Sequence, residues 1–418
     1  MKYQRFDLNA YNLHILKTKR FKTISLLINF KRPIVKEEVT IRSFLPLILL
    51  NSTNQYQTKR KLSIETENLY GVDISYNQRR LGNYALISFN MSLLKEKYTE
   101  PGMFKKSLFF LFDILFNPNV SNEAFDSEVF SIVKNEFVSS LKALKDNTMQ
   151  YGLVKMLEEM DKKAPYSYRV GYLEDVEKIT EKDLYNYYQE MLKSDEIDVF
   201  ILGDIDVNET KRIFKEYFLI KTIKKERQKL FIEHQTYRKR LKKVIEHQKI
   251  KQAKLSMGLK IMKLTDFEKK YVMTLYANIL GGPSYSKLFK SIREKNSLAY
   301  YVFCRYNLAD SLLLIGSGIN QDSFDKVIRL IKKEIQNIIK GDITEAEINN
   351  VKKDIISVIE SIEDSPTRTI NAYLLKVLLG LDDFSLIKRN YEKVSKEDLI
   401  KVGKKIKIDT VHLLCKGD

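Results

Sequence analysis

The chain has 418 residues, enough for two or more domains that each bury a core. Apolar residues make up 44% and charged residues 30%, the balance of a soluble globular protein rather than a disordered or membrane-embedded one. The net charge is +18, from 72 Lys and Arg against 54 Asp and Glu, which keeps an acidic ligand or nucleic acid under consideration.

In the first half, Leu13–Thr18 and Thr23–Phe30 alternate and are predicted as strands of a hairpin. A helix is predicted from Glu37 to Asn51, with Val39, Ile41, Phe44, Leu45, Ile48 and Leu49 on one face. Pro46 lies inside it and should kink it or start a new turn. Lys61 to Tyr70 is a second helix, stopped by Gly71. Val72, Ile74 and Tyr76 alternate, and after a turn so do Ala85, Ile87, Phe89, Met91 and Leu93, a half-buried antiparallel strand. Phe104–Phe116 is an apolar helix, and one or two more are expected between Asn122 and Met160. Thr180 caps a helix reaching about Lys193, and Asp198–Asp204 is a buried strand.

The second half repeats this order. Lys254–Ile261 is a strand and Phe267–Leu280 an apolar helix, and Gly281-Gly282-Pro283 breaks the chain. A short helix carries Leu288, Phe289 and Ile292 on one face, and an aromatic strand follows from Ala299 to Tyr306. Leu312–Ile315 returns, Asp322–Lys340 and Thr344–Leu379 are helices, Ser395 caps the last helix as Thr180 did, and a strand from Asp409 closes the chain. We therefore expect an α+β fold made of two tandem copies, each a mostly antiparallel sheet covered by helices. Residues 1–220 and 248–418 form the copies, and 221–247 a charged, partly helical linker whose His234 and His247 should be solvated.

The stretch Gly-Gly-Pro-Ser-Tyr-Ser-Lys-Leu-Phe-Lys-Ser-Ile-Arg-Glu-Lys-Asn-Ser-Leu-Ala-Tyr, 281–300, resembles the second-domain signature of the insulinase/pitrilysin superfamily of zinc peptidases. The match runs through Gly281, Gly282, Ser286, Leu288, Phe289, Arg293, Glu294, Lys295, Leu298, Ala299 and Tyr300. The resemblance implies a mitochondrial processing peptidase-like metallohydrolase fold over essentially the full length. It also implies that Arg293 and Tyr300 contact a peptide substrate. An arginine offers a donor fork to a carbonyl or carboxylate, and a tyrosine hydroxyl can donate to an oxyanion. The plainer alternative makes Arg293 a helix-end surface residue and Tyr300 an ordinary strand aromatic.

The superfamily's zinc motif, His-x-x-Glu-His, is absent. It holds the metal with two imidazoles one helical turn apart and activates water with the Glu. Its place falls on Ser43, Pro46 and Leu47, none of which can ligate zinc strongly or act as a base. The chain's four histidines are His14, His234, His247 and His412, and no two have that spacing. Glu128 and Glu136 fall in the region of the third ligand, where a surface role is the simpler one. The resemblance is thus to the non-catalytic branch, which Leu-His-x-x-x-Thr-x-x-Phe-Lys-Thr at 13–23 and Glu-Asn-Leu-Tyr-Gly at 67–71 also support.

The expectation is a catalytically inactive subunit that binds peptide through Arg293 and Tyr300. It would need no cofactor of its own, with zinc only in a partner subunit bearing His-x-x-Glu-His, as a heterodimer or by self-association. The alternative is a peptide- or protein-binding scaffold with no peptidase partner. Basic residues cluster at 221–230 and 238–251 without any nucleic-acid motif, so nucleic acid is not expected. Cys304 and Cys415 sit in no nucleophile motif and, with no apolar leader after Met1, suggest a cytoplasmic protein.

Overall fold

The computed structural model describes residues 1–220 and 228–417. From the N-terminus, Lys2–Asp7 (β1), Tyr11–Lys17 (β2) and Thr23–Pro33 (β3) precede helices Val39–Leu49 (α1) and Lys59–Asn68 (α2). The hairpin Asp73–Leu81 (β4) and Tyr84–Leu94 (β5) follows, then Met103–Phe116 (α3) and the short strands Val120–Ser121 (β6) and Ala124–Phe125 (β7). Helices Ser127–Ala143 (α4), Thr148–Met160 (α5), Leu173–Val176 (α6) and Glu181–Ser194 (α7) lead to Glu196–Gly203 (β8) and Val207–Tyr217 (α8). The second half runs Lys242–Gln248 (β9), Ala253–Ile261 (β10), Met273–Gly281 (α9), Ala299–Asn307 (β11), Leu312–Ile319 (β12) and Phe324–Ile339 (α10). It ends with Glu345–Glu360 (α11), Pro366–Leu379 (α12), Phe384–Lys393 (α13), Lys396–Lys405 (α14) and Ile406–Lys416 (β13). π-Helical turns occupy Glu268–Val272 and Phe289–Glu294.

These elements form two compact units that are interleaved in sequence. One comprises Met1–Lys142, Arg169–Gln228 and Glu363–Leu375; the other comprises Ala143–Tyr168, Lys229–Ile362 and Lys376–Asp418. The first holds a six-stranded sheet in the order β1-β2-β8-β3-β5-β4, the second a five-stranded sheet in the order β11-β12-β10-β13-β9. Read from the opposite edge, the second order matches the first without β1. β2 and β9 each pair in parallel with the last strand of their unit, β8 and β13, and the remaining pairs are antiparallel. The duplication inferred from element order is therefore a duplication of topology.

Each sheet buries side chains on both faces. In β8, Ile197, Val199 and Ile201 enter the main helical core, while Asp198, Phe200 and Leu202 are buried on the other side. In the second unit α5 lies on the face of β10 away from its main core, and Met156 and Met160 cluster there with Tyr166 and Leu312. Gly258 makes that possible, since a Cβ there would stand 2.5 Å from Met156 Sδ. The first unit takes in 363–375: Ile370 and Leu374 are buried, Tyr373 meets the Tyr3 ring at 5.1 Å, and Arg20 pairs with Glu363 and Asp364.

The second face also carries a histidine–carboxylate pair in each unit, with the partners exchanged between strands. In the first unit His14 on β2 bonds Asp198 on β8 at 3.2 Å and the Tyr3 hydroxyl at 2.8 Å. In the second, His412 on β13 bonds Glu246 on β9 at 3.1 Å, and Glu246 also accepts from Tyr151 of α5 at 2.6 Å. Burial pulls the His412 imidazole below its ordinary pKa despite Glu246, so it is held neutral.

Two local expectations are corrected. Of the charged connector, 221–227 lies outside the described residues and 228–247 holds no helix: 242–248 is β9, an edge strand whose lysines reach acids, Lys242 to Glu159 at 2.5 Å and Lys243 to Asp325 at 2.7 Å. The long helix expected over Thr344–Leu379 is broken at 361–365, because Pro366 restricts Ser365 and offers no N–H. α1 runs unbroken through Pro46.

One buried ion pair ties α1 to the sheet. Arg42, fully buried, donates to Asp195 at 2.7 Å, to Tyr187, and to the carbonyls of Phe30 and Ala85. Burial pulls its pKa down, but Asp195 and Tyr187 more than offset that and hold it above the ordinary guanidinium value.

Two predictions follow from these contacts. Asp195→Ala should strand the Arg42 guanidinium and lower unfolding free energy by about 3–5 kcal/mol in a denaturant titration; a loss within error of zero would show the pair to be dispensable. The neutral, buried His412 contributes stability that is complete above the ordinary histidine pKa of 6.5 and shrinks as pH falls through it, because the unfolded chain takes the proton first. Melting temperature should therefore drop between about pH 7 and 5, and His412→Gln should flatten that slope.

Candidate functional site

The positions of the missing zinc motif lie on α1, and all are committed to packing. Ser43 is 2% exposed. Its hydroxyl lies 2.7 Å from the Val39 carbonyl, also reaches the Val170 carbonyl, and accepts from Gln78 Nε2 at 2.6 Å. Pro46 is buried and Leu47 half-buried. The segment before α6 is fastened to the same helix, with Thr40 Oγ1 donating to Asp175 at 2.9 Å and accepting from Tyr172 N at 3.1 Å.

The later helix expected to carry a third ligand is α4. It turns Phe130, Val133 and Phe137 inward and leaves Glu128 and Glu136 exposed. Phe44 of α1 stacks on Phe137 at 5.5 Å and meets Phe130 at 5.2 Å. Hydrocarbon therefore fills the α1–α4 contact. The residues present do not fit zinc: the donor set is one hydroxyl that is already bonded, a proline and a leucine. Among the described residues no cluster of three His, Cys, Asp or Glu side chains could hold a metal ion.

The second candidate locus is the corner made by the 289–294 turn and β11. Gly281 allows it, because a Cβ there would lie 2.8 Å from both the backbone N and the Cβ of Cys304 on β11. Leu288 and Ile292 are buried beneath the turn. Ser297 then takes a left-handed conformation, φ 52°, and Leu298 N bonds the Ile292 carbonyl at 3.0 Å, which reverses the chain into the strand. Arg293 is exposed on the turn, with its guanidinium over the Phe289 ring at 4.9 Å. Tyr300 is 64% exposed and sits where the β11–β12 register shifts between Ala299 and Tyr301. Such an irregularity re-aims a side chain out of the regular alternation. β11 is an outer strand of its sheet, so the backbone beside Tyr300 is unpaired on one side among the described strands.

The remaining candidates resolve as structural. Cys304 is buried, and burial pushes its thiol far above the usual range. Cys415 belongs to the main core while His412 faces α5, so they do not meet; Cys415 Sγ lies instead 3.5 Å from His247 Nδ1. His234, expected to be solvated, is buried and bonded to the Asp310 carbonyl at 2.8 Å. Within 238–251, Arg238, Lys242 and Lys243 are paired with Asp409, Glu159 and Asp325. Sequence reasoning overlooked Gln78, whose contact with Ser43 has no local signal. The helical spacing of Phe130, Val133 and Phe137 is a signal that could have marked the inner face of α4.

Residues 178–355 match the family model described as "Peptidase M16 inactive domain". Over 409 residues the chain is 32% identical to "Probable inactive metalloprotease YmfF" of Bacillus subtilis (strain 168), covering 96% of this chain and 95% of that protein. A conserved protein of Enterococcus faecalis V583 has a solved structure that superposes with a TM-score of 0.92 at 23% identity, covering 100% of this chain and 99% of the other. A protease structure from Helicobacter pylori gives 0.80 at 16% identity over 100% and 99%. These two structures agree with the fold alone.

The geometry separates packing residues from exposed ones, and stability measurements can check it. Gly281→Ala should push β11 off the preceding helix and cost about 1–3 kcal/mol. Arg293→Ala and Tyr300→Ala should each stay within about 0.5 kcal/mol of wild type. A large loss in either of the latter would mean that it supports the fold.

Proposed function

The chain belongs to the M16, insulinase-like peptidase family, and from that premise we propose that it is a catalytically inert member that holds extended polypeptide. In this reading it serves as the substrate-binding subunit of a heteromeric zinc peptidase whose metal sits in a partner bearing His-x-x-Glu-His. The observation that carries the reading is a contrast. Arg293 and Tyr300 are exposed and are not consumed by the fold, whereas Ser43, Pro46 and Leu47 are packed, bonded or both.

The chemistry of the exposed corner suits a peptide. A guanidinium offers a planar pair of donors to a main-chain carbonyl or a carboxylate. The Tyr300 hydroxyl can donate to a carbonyl oxygen or to the oxyanion that forms when water attacks it in the partner's site. The chain's own residues bind and orient; none of the groups at the α1 position could generate the attacking hydroxide. The same reading puts the protein in the cytoplasm, with Cys304 and Cys415 in no disulfide. No helix among the described residues is long and apolar enough to cross a membrane.

The test uses the purified chain alone and mixed with a zinc-motif homologue from the same source. Alone, it should carry no stoichiometric zinc and cleave no peptide. In the mixture, Arg293→Ala should lower peptide turnover by about tenfold or more if that donor pair contacts substrate. Zinc at one per chain together with cleavage by the lone chain would end the proposal. Unchanged turnover with the alanine variant would remove Arg293 from the binding site.

A further inference from the structure

The face of the second unit's sheet that carries α5 is matched in charge on one side and unmatched on the other. α5 lies over β10 and β13, and the cations beside it have acids. Lys260 and Arg238 reach Asp409, Lys242 reaches Glu159, and His412 bonds Glu246. Toward β11 the same face carries Lys254 and Arg305. Neither pairs with a carboxylate among the described residues, and Lys254 Nζ donates to the side-chain oxygen of Gln252 instead. Lys254 is half-buried, so part of its hydration is lost without a counter-charge to replace it.

Two glycines shape the surface between these cations. The register sets Lys254, Gly318 and Tyr301 in one cross-strand row and Ser256, Gly316 and Phe303 in the next. With no side chain on the middle strand, the two rings of β11 fold inward across it. A Cβ on Gly318 would stand 2.5 Å from Tyr301 Cε1, and one on Gly316 would collide with the Phe303 ring. The two ring planes lie within 11° of each other, with centroids 6.4 Å apart. Lys254 Nζ sits 5.4 Å from the Tyr301 centroid and the Arg305 guanidinium 4.8 Å from that of Phe303. Ring faces hold these cations in place without neutralising them. The result is an aromatic shelf with a positive group at each end. Tyr301 and Phe303 are half-buried and Arg305 is exposed, so solvent reaches the shelf.

We propose that this shelf binds the side chains of an acidic–apolar–acidic stretch of polypeptide. An apolar side chain lies on Tyr301 and Phe303, one carboxylate goes to Lys254 and another to Arg305. Tyr301 and Arg305 are four strand residues apart, about 13 Å. Acidic residues four apart in an extended segment, with the apolar residue midway, present all three side chains on one side at that spacing. The contacts are made on the face of the sheet by side chains and need no main-chain pairing along a strand edge. Charge complementarity picks the occupant, because the two cations lack acids where their neighbours have them. The inference rests on the reading above that the chain holds polypeptide, and it adds the class of sequence preferred. The net charge of +18 attracts any acidic chain, so the test must separate this shelf from the general field.

The experiment compares two fluorescein-labelled, Thr-rich peptides of about nine residues, one with glutamates four apart and a leucine midway, the other with glutamines in place of the glutamates. Binding is read by anisotropy with wild type, Lys254→Met, Arg305→Met and, as a control, Lys332→Met, which removes the same charge from the exposed side of α10. We expect wild type to bind the glutamate peptide about tenfold more tightly than its twin, and Lys254→Met and Arg305→Met each to cut that ratio to about threefold or less. Lys332→Met should leave the ratio unchanged. Arg305 is exposed, so its variant carries the test even if Lys254→Met melts lower than wild type. Equal binding of the two peptides by wild type would overturn the shelf while leaving peptide holding intact. Binding of neither would overturn peptide holding as well. A ratio that falls as far with Lys332→Met as with the shelf variants would assign the preference to the general field and overturn the inference.

Discussion

Both sheets carry apolar side chains on both faces, and a sheet of that kind is stable only when both faces are covered. One layer comes from helices close by in sequence. The other comes from far along the chain: α5 in the second unit, the 363–375 segment in the first. This requirement explains why the compact units are interleaved rather than consecutive. It also accounts for Gly258, whose missing side chain leaves room for Met156 and Met160. The histidine–carboxylate pairs lie on the same faces, where polar groups must be mutually satisfied because water is excluded.

Against that scaffold the loss of metal chemistry is a matter of packing as well as composition. Replacing two histidines and a glutamate by Ser43, Pro46 and Leu47 would leave a polar hollow if the surroundings had stayed as a metal site requires. Here the surroundings have closed over it. Gln78 and the Val170 carbonyl engage Ser43, and the phenylalanines of α4 meet Phe44. The buried Arg42–Asp195 pair next to Ser43 fixes α1 against β3, β5 and the start of β8. Restoring ligands would therefore demand repacking of α4 and of the segment before α6, beyond three substitutions on α1.

The corner at Arg293 and Tyr300 has the opposite character. The turn beneath it is rigid, with Leu288 and Ile292 buried and Gly281 in close contact with β11, while the two polar side chains themselves stand free in solvent. Rigid support under exposed donors is the arrangement in which binding residues lose least entropy on engaging a ligand.

The sequence alone determined the element order, the duplication, the missing zinc motif and the Gly-Gly to Tyr300 signature, because periods of two and 3.6 residues, capping residues and short motifs are local properties. Thr180 and Ser395 form the capping boxes their spacing announced, with Asp183 and Asp398. Tertiary structure decided what depends on partners distant in the chain. β9 was hidden in a lysine-rich stretch because an edge strand needs no apolar face, only a neighbour and counter-charges, and these are β13, Glu159 and Asp325. Likewise the burial of His234 and the pairing of Arg42 are outcomes of three-dimensional proximity, and no pattern within a few residues of those positions could encode them.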